Sequence, residues 1–392
     1  MWYLTFPIDV EYVTCVTARY NFLCHCTQMF SASYLRFWSP EKRRIGFRGE
    51  GRTPTSGYLA VPLHPNNPVD VISKAQVDDR HDHRGVQMSL DLETVADGLG
   101  FPEGPVAMAD GSLLFVDIKN ETLSRLTTDG RVDVVAEIPG GPNGVAIGPD
   151  GMAYVCNNGG VYSFVPFNGV TVPGPRPPSY QGGSVQRVDL ATGAVTVLYD
   201  EYNGARLLTP DDIVFDNAGG FWFTDSGIQD PDSTQKGALY YATIDGQSIV
   251  KAATIPMANG VGLSPDGATV YVSDTVFGRL WALDILGPGE VKPGPLPVMP
   301  GRVVQTLPGF QWLDSLKVEA GGRVCVGTLF NGGITVFSPD GATEHAAVAD
   351  LFTTNLCFGG EDMRDVWITA SSTGKIYKTR WPRPGLKLAF NG

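Results

Sequence analysis

Pro210-Asp211-Asp212-Ile213-Val214-Phe215-Asp216-Asn217-Ala218-Gly219-Gly220-Phe221-Trp222-Phe223-Thr224-Asp225 sets two short apolar runs on either side of a glycine-rich turn. Strand-favouring residues at 213–215 and 221–223 flank the turn, a pattern that predicts a tight β-hairpin. Two carboxylates, Asp211 and Asp212, stand just ahead of the first strand.

The same order recurs along the chain. Glu103-Gly104-Pro105 leads into an apolar run at 106–108, a turn at Ala109-Asp110-Gly111 and a second run at 113–116. Asn143-Gly144 leads into 145–147, Pro149-Asp150-Gly151 and 153–156, and Asn259-Gly260 into 261–263, Pro265-Asp266-Gly267 and 269–274. Asp314 precedes 316–318, Gly321-Gly322 and 324–326, and a weaker copy begins at Asn355. Six short-stranded units, about 40 to 70 residues apart, predict an all-β fold, a six-bladed β-propeller. In that architecture the first strand of each blade lines a central channel, so equivalent residues form a ring. The ring position reads Glu103, Asn143, Asp211, Asn259, Asp314 and Asn355, each of them an oxygen donor.

Composition supports this class. The chain has 392 residues, 43% of them hydrophobic, enough for a sizeable core, and its 48 glycines and 29 prolines suit many turns. A net charge of −12 argues against nucleic acid as a partner and fits a cation or a small neutral substrate. No apolar run is long enough to cross a bilayer, so no membrane partner is expected. The six cysteines lack metal-finger spacing. Cys156, Cys325 and Cys357 fall in predicted strands and read as small buried hydrophobes. Nothing calls for disulfides, and a cytoplasmic location is the expectation.

Residues 1–87 stand apart from the repeats. They carry four of the five histidines and a slight excess of basic over acidic residues, and such a shift marks a boundary. The expected organisation is a poorly ordered extension over 1–87, with Met88 as the start of the folded unit, and a propeller over 88–392. Asp9 and Glu11 interrupt what a secretory signal would need as an apolar stretch. Cys24-His25-Cys26 lacks the ligand spacing of a metal site. From Met88 the chain enters an outer strand within 90–99, expected to close the ring against 374–379 in the last blade. Two Pro/Gly-rich loops, 167–183 and 286–301, exceed what blade connections need. They either set substrate selectivity or are passive surface excursions.

Three carboxylates and three carboxamides facing one axis require a cation. Hard oxygen donors suit Ca²⁺, with Zn²⁺, Mn²⁺ or Mg²⁺ as other divalent candidates. Zinc is less well matched, because the repeats hold one histidine, His345, read as lying in an exposed turn. Asn143 and Asn259 are either ring donors or Asn-Gly turn residues; Pro-Asp-Gly already supplies the turn in both repeats, which favours the donor role for Asn259. Asp212 is expected to orient Asp211 or a metal-bound water. Asn143, Asp212 and Asn355 are the expected substrate-binding residues. Asp117, Asp225 and Asp274 close the second strands and are expected to hydrogen-bond neighbouring turns.

These residues carry a resemblance. Pro102-Glu103-Gly104-Pro105, Pro210-Asp211-Asp212 with Phe221-Trp222-Phe223-Thr224-Asp225, Asn259-Gly260 with Ser264-Pro265-Asp266-Gly267, and Asp314-Ser315-Leu316-Lys317-Val318 occur in the order seen in the SMP-30/gluconolactonase family. The chain from 88 to 392 resembles these six-bladed, calcium-dependent propellers. The resemblance implies a divalent metal, usually calcium, held by Glu103, Asp211, Asn259 and Asp314. The family usually has Asn where this chain has Asp211; the extra charge should strengthen cation binding and weaken the metal as a Lewis acid. The implied reaction is hydrolysis of a lactone or similar ester, with Asp314 activating water as the catalytic residue. Phosphotriesterase or arylesterase chemistry on the same metal, and a calcium-binding platform without chemistry, are the alternatives.

Overall fold

The computed structural model describes residues 14–18, 21–25 and 86–390. Residues 86–390 form six antiparallel sheets that follow one another along the chain, the blades of a propeller. Their innermost strands are Pro102–Ala107, Pro142–Ile147, Pro210–Phe215, Ala258–Leu263, Trp312–Val318 and Thr353–Gly359, numbered here as blades 1 to 6. The ring closes as expected. Glu93–Ala96, from the start of the described propeller, pairs antiparallel with Lys375–Arg380 as the outer strand of blade 6. Val86–Met88 adds a parallel strand to the outer edge of blade 5, Val86 opposite Glu344, so the propeller takes in Val86 and Gln87 ahead of the Met88 boundary. Thr14–Ala18 and Asn21–His25 pair as an antiparallel hairpin. The rest of the expected extension, including Cys26 and any role for Cys24-His25-Cys26, lies outside the described residues.

The hairpin at 210–225 shows how sequence becomes blade. Pro210–Phe215 and Phe221–Asp225 pair, and the turn is held by Ala218 N donating to Asp216 Oδ1 at 2.8 Å, with Gly219 at φ 88°. Successive strand side chains point to opposite sheet faces, and in a propeller both faces are buried against neighbouring blades. Phe221 and Phe223 accordingly pack with Tyr154 of blade 2, while Trp222 packs with Val270 and Trp281 of blade 4. An uninterrupted aromatic run is therefore what this strand needs.

A bulge recurs near the start of each inner strand. Pairing jumps from Pro210↔Asp225 to Ile213↔Phe223, leaving Asp211 and Asp212 opposite one residue; Asn259 with Gly260 and Asp314 with Ser315 occupy the same two-residue irregularity. In blades 1 and 6 the shift falls beside Glu103 and Asn355. Bulges re-aim side chains, and here they sit where the ring donors lie. The Asn-Gly pairs are thus inside strands, not at hairpin turns. Their glycines answer to crowding. A Cβ on Gly104 would strike the Asn143 carbonyl, one on Gly144 the Asp211 carbonyl, and one on Gly260 the backbone of 314–316.

Because strands alternate in direction, the ring donors share one face of the propeller with the loops that follow second strands. The first long loop leaves blade 2 on that face and folds into a hairpin, Phe164–Phe167 with Val170–Pro173. It reaches as far as blade 6, where Thr171 N donates to Ser372 O at 2.8 Å. The second long loop joins the third and fourth strands of blade 4, so it belongs to the opposite face, away from the donors.

That opposite face is closed by the chain's own C-terminal segment. Trp381 N bonds Arg364 O, Gly385 N bonds Met363 O, and Leu386 N bonds Val318 O, carrying the tail from blade 6 to blade 5. Leu388 then packs on the core between blades 3 and 4, and Phe390 meets Phe215 edge-on with centroids 5.7 Å apart. Leu386, Leu388, Ala389 and Phe390 line the channel floor, where a water's centre can reach only about 40 Å³. That holds a few waters and no substrate. Glu319 anchors the segment: fully buried, it accepts from Trp381 Nε1 at 2.8 Å and Arg383 Nε at 2.6 Å.

Candidate active site

The ring forms where the inner strands begin. Glu103, Asp211 and Asp314 are buried, at 2%, 4% and 9% exposure, and near enough to repel one another. Glu103 Oε2 accepts from its neighbour Gly104 N and, at 2.7 Å, from Asn355 Nδ2. Burial pushes its carboxyl up to about 7, against the pull of those two donors. Asp211 Oδ2 accepts from Ser226 Oγ at 2.5 Å. Its carboxyl lies well above the usual range, first through burial, then through repulsion by Glu103 and Asp212 that the Ser226 contact only partly offsets. Asp314 is raised likewise by burial and by Glu103 and Asp211; Asn259 and the Ser315 N–H, which donates to Oδ1 at 3.1 Å, oppose the rise.

The predicted donors thus divide by what they touch. Glu103, Asp211, Asn259 and Asp314 come together, and Asn143 is buried on the same ring of inner-strand starts. Asn355, expected to meet substrate, has both polar atoms engaged: Nδ2 on Glu103, and Oδ1 accepting from Leu356 N at 2.8 Å. It is fully buried and holds Glu103 in place. Asp212, also expected at the substrate, faces the next blades instead. Its Oδ1 accepts from Ile213 N at 3.0 Å, and its Oδ2 from Val261 N at 3.2 Å and Lys317 Nζ at 3.5 Å.

The aspartates that end second strands do as expected. Asp117 accepts from Gly100 N and Phe101 N at 2.7 and 2.9 Å, and Asp225 from Leu208 N and Thr209 N at 2.7 and 2.9 Å. Asp274 accepts from Met257 N at 3.2 Å. Each pins the segment entering its own inner strand, and so fixes where the donor after it stands. His345 differs from expectation. It lies in Thr343–Ala347, the fourth strand of blade 5, with Nδ1 3.1 Å from Thr335 Oγ1, and burial lowers its proton affinity. A strand that far from the axis brings no imidazole to the ring.

Three participants were not foreseen. Tyr162, at the root of the hairpin arm, is placed near Asp211 and Asp314; burial first, then these two charges, raise its hydroxyl's proton affinity. Ser226 links blades 3 and 4, lying 2.8 Å from the Ala258 carbonyl as well as against Asp211. Lys317, on the inner strand of blade 5, has its Nζ on the Leu316 carbonyl at 2.9 Å and reaches Asp212. A lysine between Leu316 and Val318 in an inner strand is the one signal that marked it.

The model of the SMP-30/gluconolactonase/LRE-like region matches residues 101–372, from just before Glu103 to just past the last second strand. The chain belongs to this family. Among curated relatives, a gluconolactonase of Zymomonas mobilis is 26% identical over 313 residues, covering 73% of this chain and 80% of that one. A lactonase drp35 of Staphylococcus saprophyticus is 31% identical over 133 residues, 34% of this chain and 39% of that protein. In fold, a gluconolactonase from Xanthomonas campestris superposes with a TM-score of 0.59 at 23% identity, covering 75% of this chain and 90% of that one. A regucalcin from Agrobacterium tumefaciens, a calcium-binding protein, does so at 0.58 and 17%, covering 77% and 99%.

Does the ring of this family member suit a divalent cation? Among the described residues no group of three or more His, Cys, Asp or Glu side chains stands in a finished metal-binding arrangement. The donor chemistry nevertheless fits. Glu103 Oε1 and Asp211 Oδ1 are buried without a hydrogen-bond partner, and buried carboxylate oxygens are ordinarily satisfied. Two unpartnered hard oxygens on a ring of oxygen donors match a hard cation such as Ca²⁺.

Proposed function

We propose that this chain is a hydrolase that opens a lactone at the mouth face of the propeller channel. One observation carries the reading. Three buried, mutually repelling carboxylates, two of them with a partnerless oxygen, stand at one end of a channel whose other end is closed. The kinship with proteins named gluconolactonase and lactonase supports it. Glu103, Asp211, Asn259 and Asp314 would hold the cation, Ca²⁺ by donor type. A bound divalent cation supplies positive charge to polarise a carbonyl oxygen and stabilise the oxyanion that develops on it.

The chain's residues do the rest. Asp314 accepts the proton of the attacking water. The acyl–oxygen bond of the ring breaks, and the same proton passes to the departing alkoxide, giving a hydroxy acid. Asn355 and the Gly104 N–H hold Glu103; Ser226 holds Asp211. Lys317 balances the charge of Asp212 beneath them. Tyr162, its hydroxyl kept protonated by burial and by the charges of Asp211 and Asp314, stands near them as a neutral group.

The test is hydrolysis of a panel of sugar, alkyl and aryl lactones by the full chain, before and after chelation and with calcium restored. Loss on chelation, recovery with calcium, and inactivity of a folded Asp314→Asn are the expected results. A folded, calcium-loaded chain inactive on every lactone would instead leave the propeller as a binding platform.

A further inference from the structure

The mouth face carries a continuous aromatic wall that the chemistry above does not use. Phe310, Trp312 and Phe330 form a triangle with ring centroids 5.7, 5.0 and 5.2 Å apart. Phe330 continues to Phe352 at 5.5 Å, Phe352 to Phe101 at 6.2 Å, and Phe101 to Phe164 of the hairpin arm at 5.1 Å. The wall adjoins the ring through the chain itself. Trp312 stands two residues before Asp314 in one strand, Phe101 two before Glu103, and Phe352 three before Asn355.

Its inner end is buried and its outer end is open to solvent: Phe352 is 9% exposed, Phe330 38% and Phe310 68%. Phe330 also adopts φ 68°, a left-handed conformation that costs a bulky residue energy. The backbone is held there by its N–H, which donates to the Leu351 carbonyl of the next blade at 2.9 Å. A bulky residue persists in that conformation only where the surrounding structure over-determines it. The polar groups beside the wall are engaged with each other. Asn331 Nδ2 donates to Gln311 Oε1 at 3.0 Å, and Gln311 Nε2 to the Pro308 carbonyl at 2.7 Å. The hydroxyls of a polyhydroxylated ring laid here would meet polar groups already engaged.

Resting on the lactonase reading, we infer that the substrate is a lactone bearing an apolar ring or alkyl chain, whose apolar part lies on Phe310, Trp312 and Phe330. Its carbonyl is then presented to the donor ring beside the wall. Apolar contact of this kind selects by burial, whereas most of a sugar lactone's hydroxyls would have to displace the contacts among Asn331, Gln311 and Pro308 to find partners here.

The experiment compares kcat/KM for an aryl-fused and a polyhydroxylated six-membered lactone, with calcium, in the full chain and in Phe310→Ser and Phe330→Asn. Asn tolerates positive φ, so the second variant relieves strain and keeps the fold testable. Expected is a preference for the aryl lactone that falls about tenfold in each variant, mainly through KM. Val134→Ser, 60% exposed on the outer strand of blade 1, should leave the ratio unmoved. Preference for the polyhydroxylated lactone, or a ratio unmoved in both wall variants, overturns the inference. If neither lactone is turned over, the lactonase reading is decided by the full panel and the wall by binding alone. An aryl-fused lactam should then quench tryptophan fluorescence in the wild type, and much less in Phe310→Ser, while a polyhydroxylated lactam does not; equal responses reject the wall.

Discussion

Asn355 Nδ2 lies 2.7 Å from Glu103 Oε2, joining the last blade to the first across 252 positions of sequence. The contact closes the ring chemically as the Glu93–Ala96 strand closes it mechanically. It also fixes which oxygen of Glu103 remains free.

Replacing Asn355 by Leu should therefore release Glu103 without touching a proposed ligand. Outer partners of metal ligands are typically worth about 10–100-fold in affinity or activity. Calcium titration by calorimetry should show a loss of that order, partly restored in Asn355→Gln. Unchanged calcium affinity in a folded Asn355→Leu would remove Asn355 from the site.

Lys317 and Asp212 form the charged pair beneath the ring, with Asp212 1% exposed and Lys317 15%. Lys317→Met strands a buried carboxylate and should cost about 3 kcal/mol of stability in urea unfolding. Asp212→Asn in the same chain should recover part of it, and the double-mutant cycle measures how much. Additive effects of the two changes would mean that the pair does not interact.

With calcium chelated, pH should act on the ring in a definite direction. The Glu103 carboxyl is held at about 7 in the folded chain, above its ordinary 4.5. The folded state then binds that proton more tightly than the unfolded state. Its contribution to stability is complete below pH 4.5 and is lost as pH rises to about 7. Asp211 and Asp314, raised for the same reason, act in the same direction. Melting temperature in chelator should fall across this window, and excess calcium should abolish the fall. A melting temperature that rises with pH in chelator would contradict the burial of these groups.

At the closed face, Arg383 donates to buried Glu319 at 2.6 Å and reaches Glu344 at 2.9 Å. Arg383→Ala leaves Glu319 with Trp381 as its main donor and should destabilise by about 3–5 kcal/mol. The tail beyond it should become sensitive to protease before the blades do. A variant as stable as the wild type would show that the tail is held by its apolar contacts alone.

Much of this was legible beforehand. Each donor stands at the same place before an apolar run, and that regularity shows through even where the residue changes from Glu to Asp to Asn. The turns at 216–220 and at the Pro-Asp-Gly sites were legible because their chemistry is local. The partners were not. Asn355 on Glu103, Lys317 on Asp212 and Ser226 on Asp211 are pairings between strands and blades, fixed by propeller closure and by bulges that no short window encodes. His345 was misread for a related reason: Glu344-His345-Ala346 is too polar to mark a strand, yet Gly333–Phe337 on one side and Val86–Met88 on the other make it one. The hairpin arm over the mouth was visible only as an excess of Pro and Gly.

The tail of residues 386–390 turns the channel from a pipe into a well. Whatever goes in must come out through the same opening, so substrate and product compete for one doorway, and product inhibition should be competitive. A lactone arrives uncharged, while the hydroxy acid made from it carries a carboxylate. On the reading proposed above it would form beside Glu103, Asp211 and Asp314, at the mouth of a molecule of net charge −12. How readily that product leaves should then depend on how fully a bound cation offsets the three carboxylates.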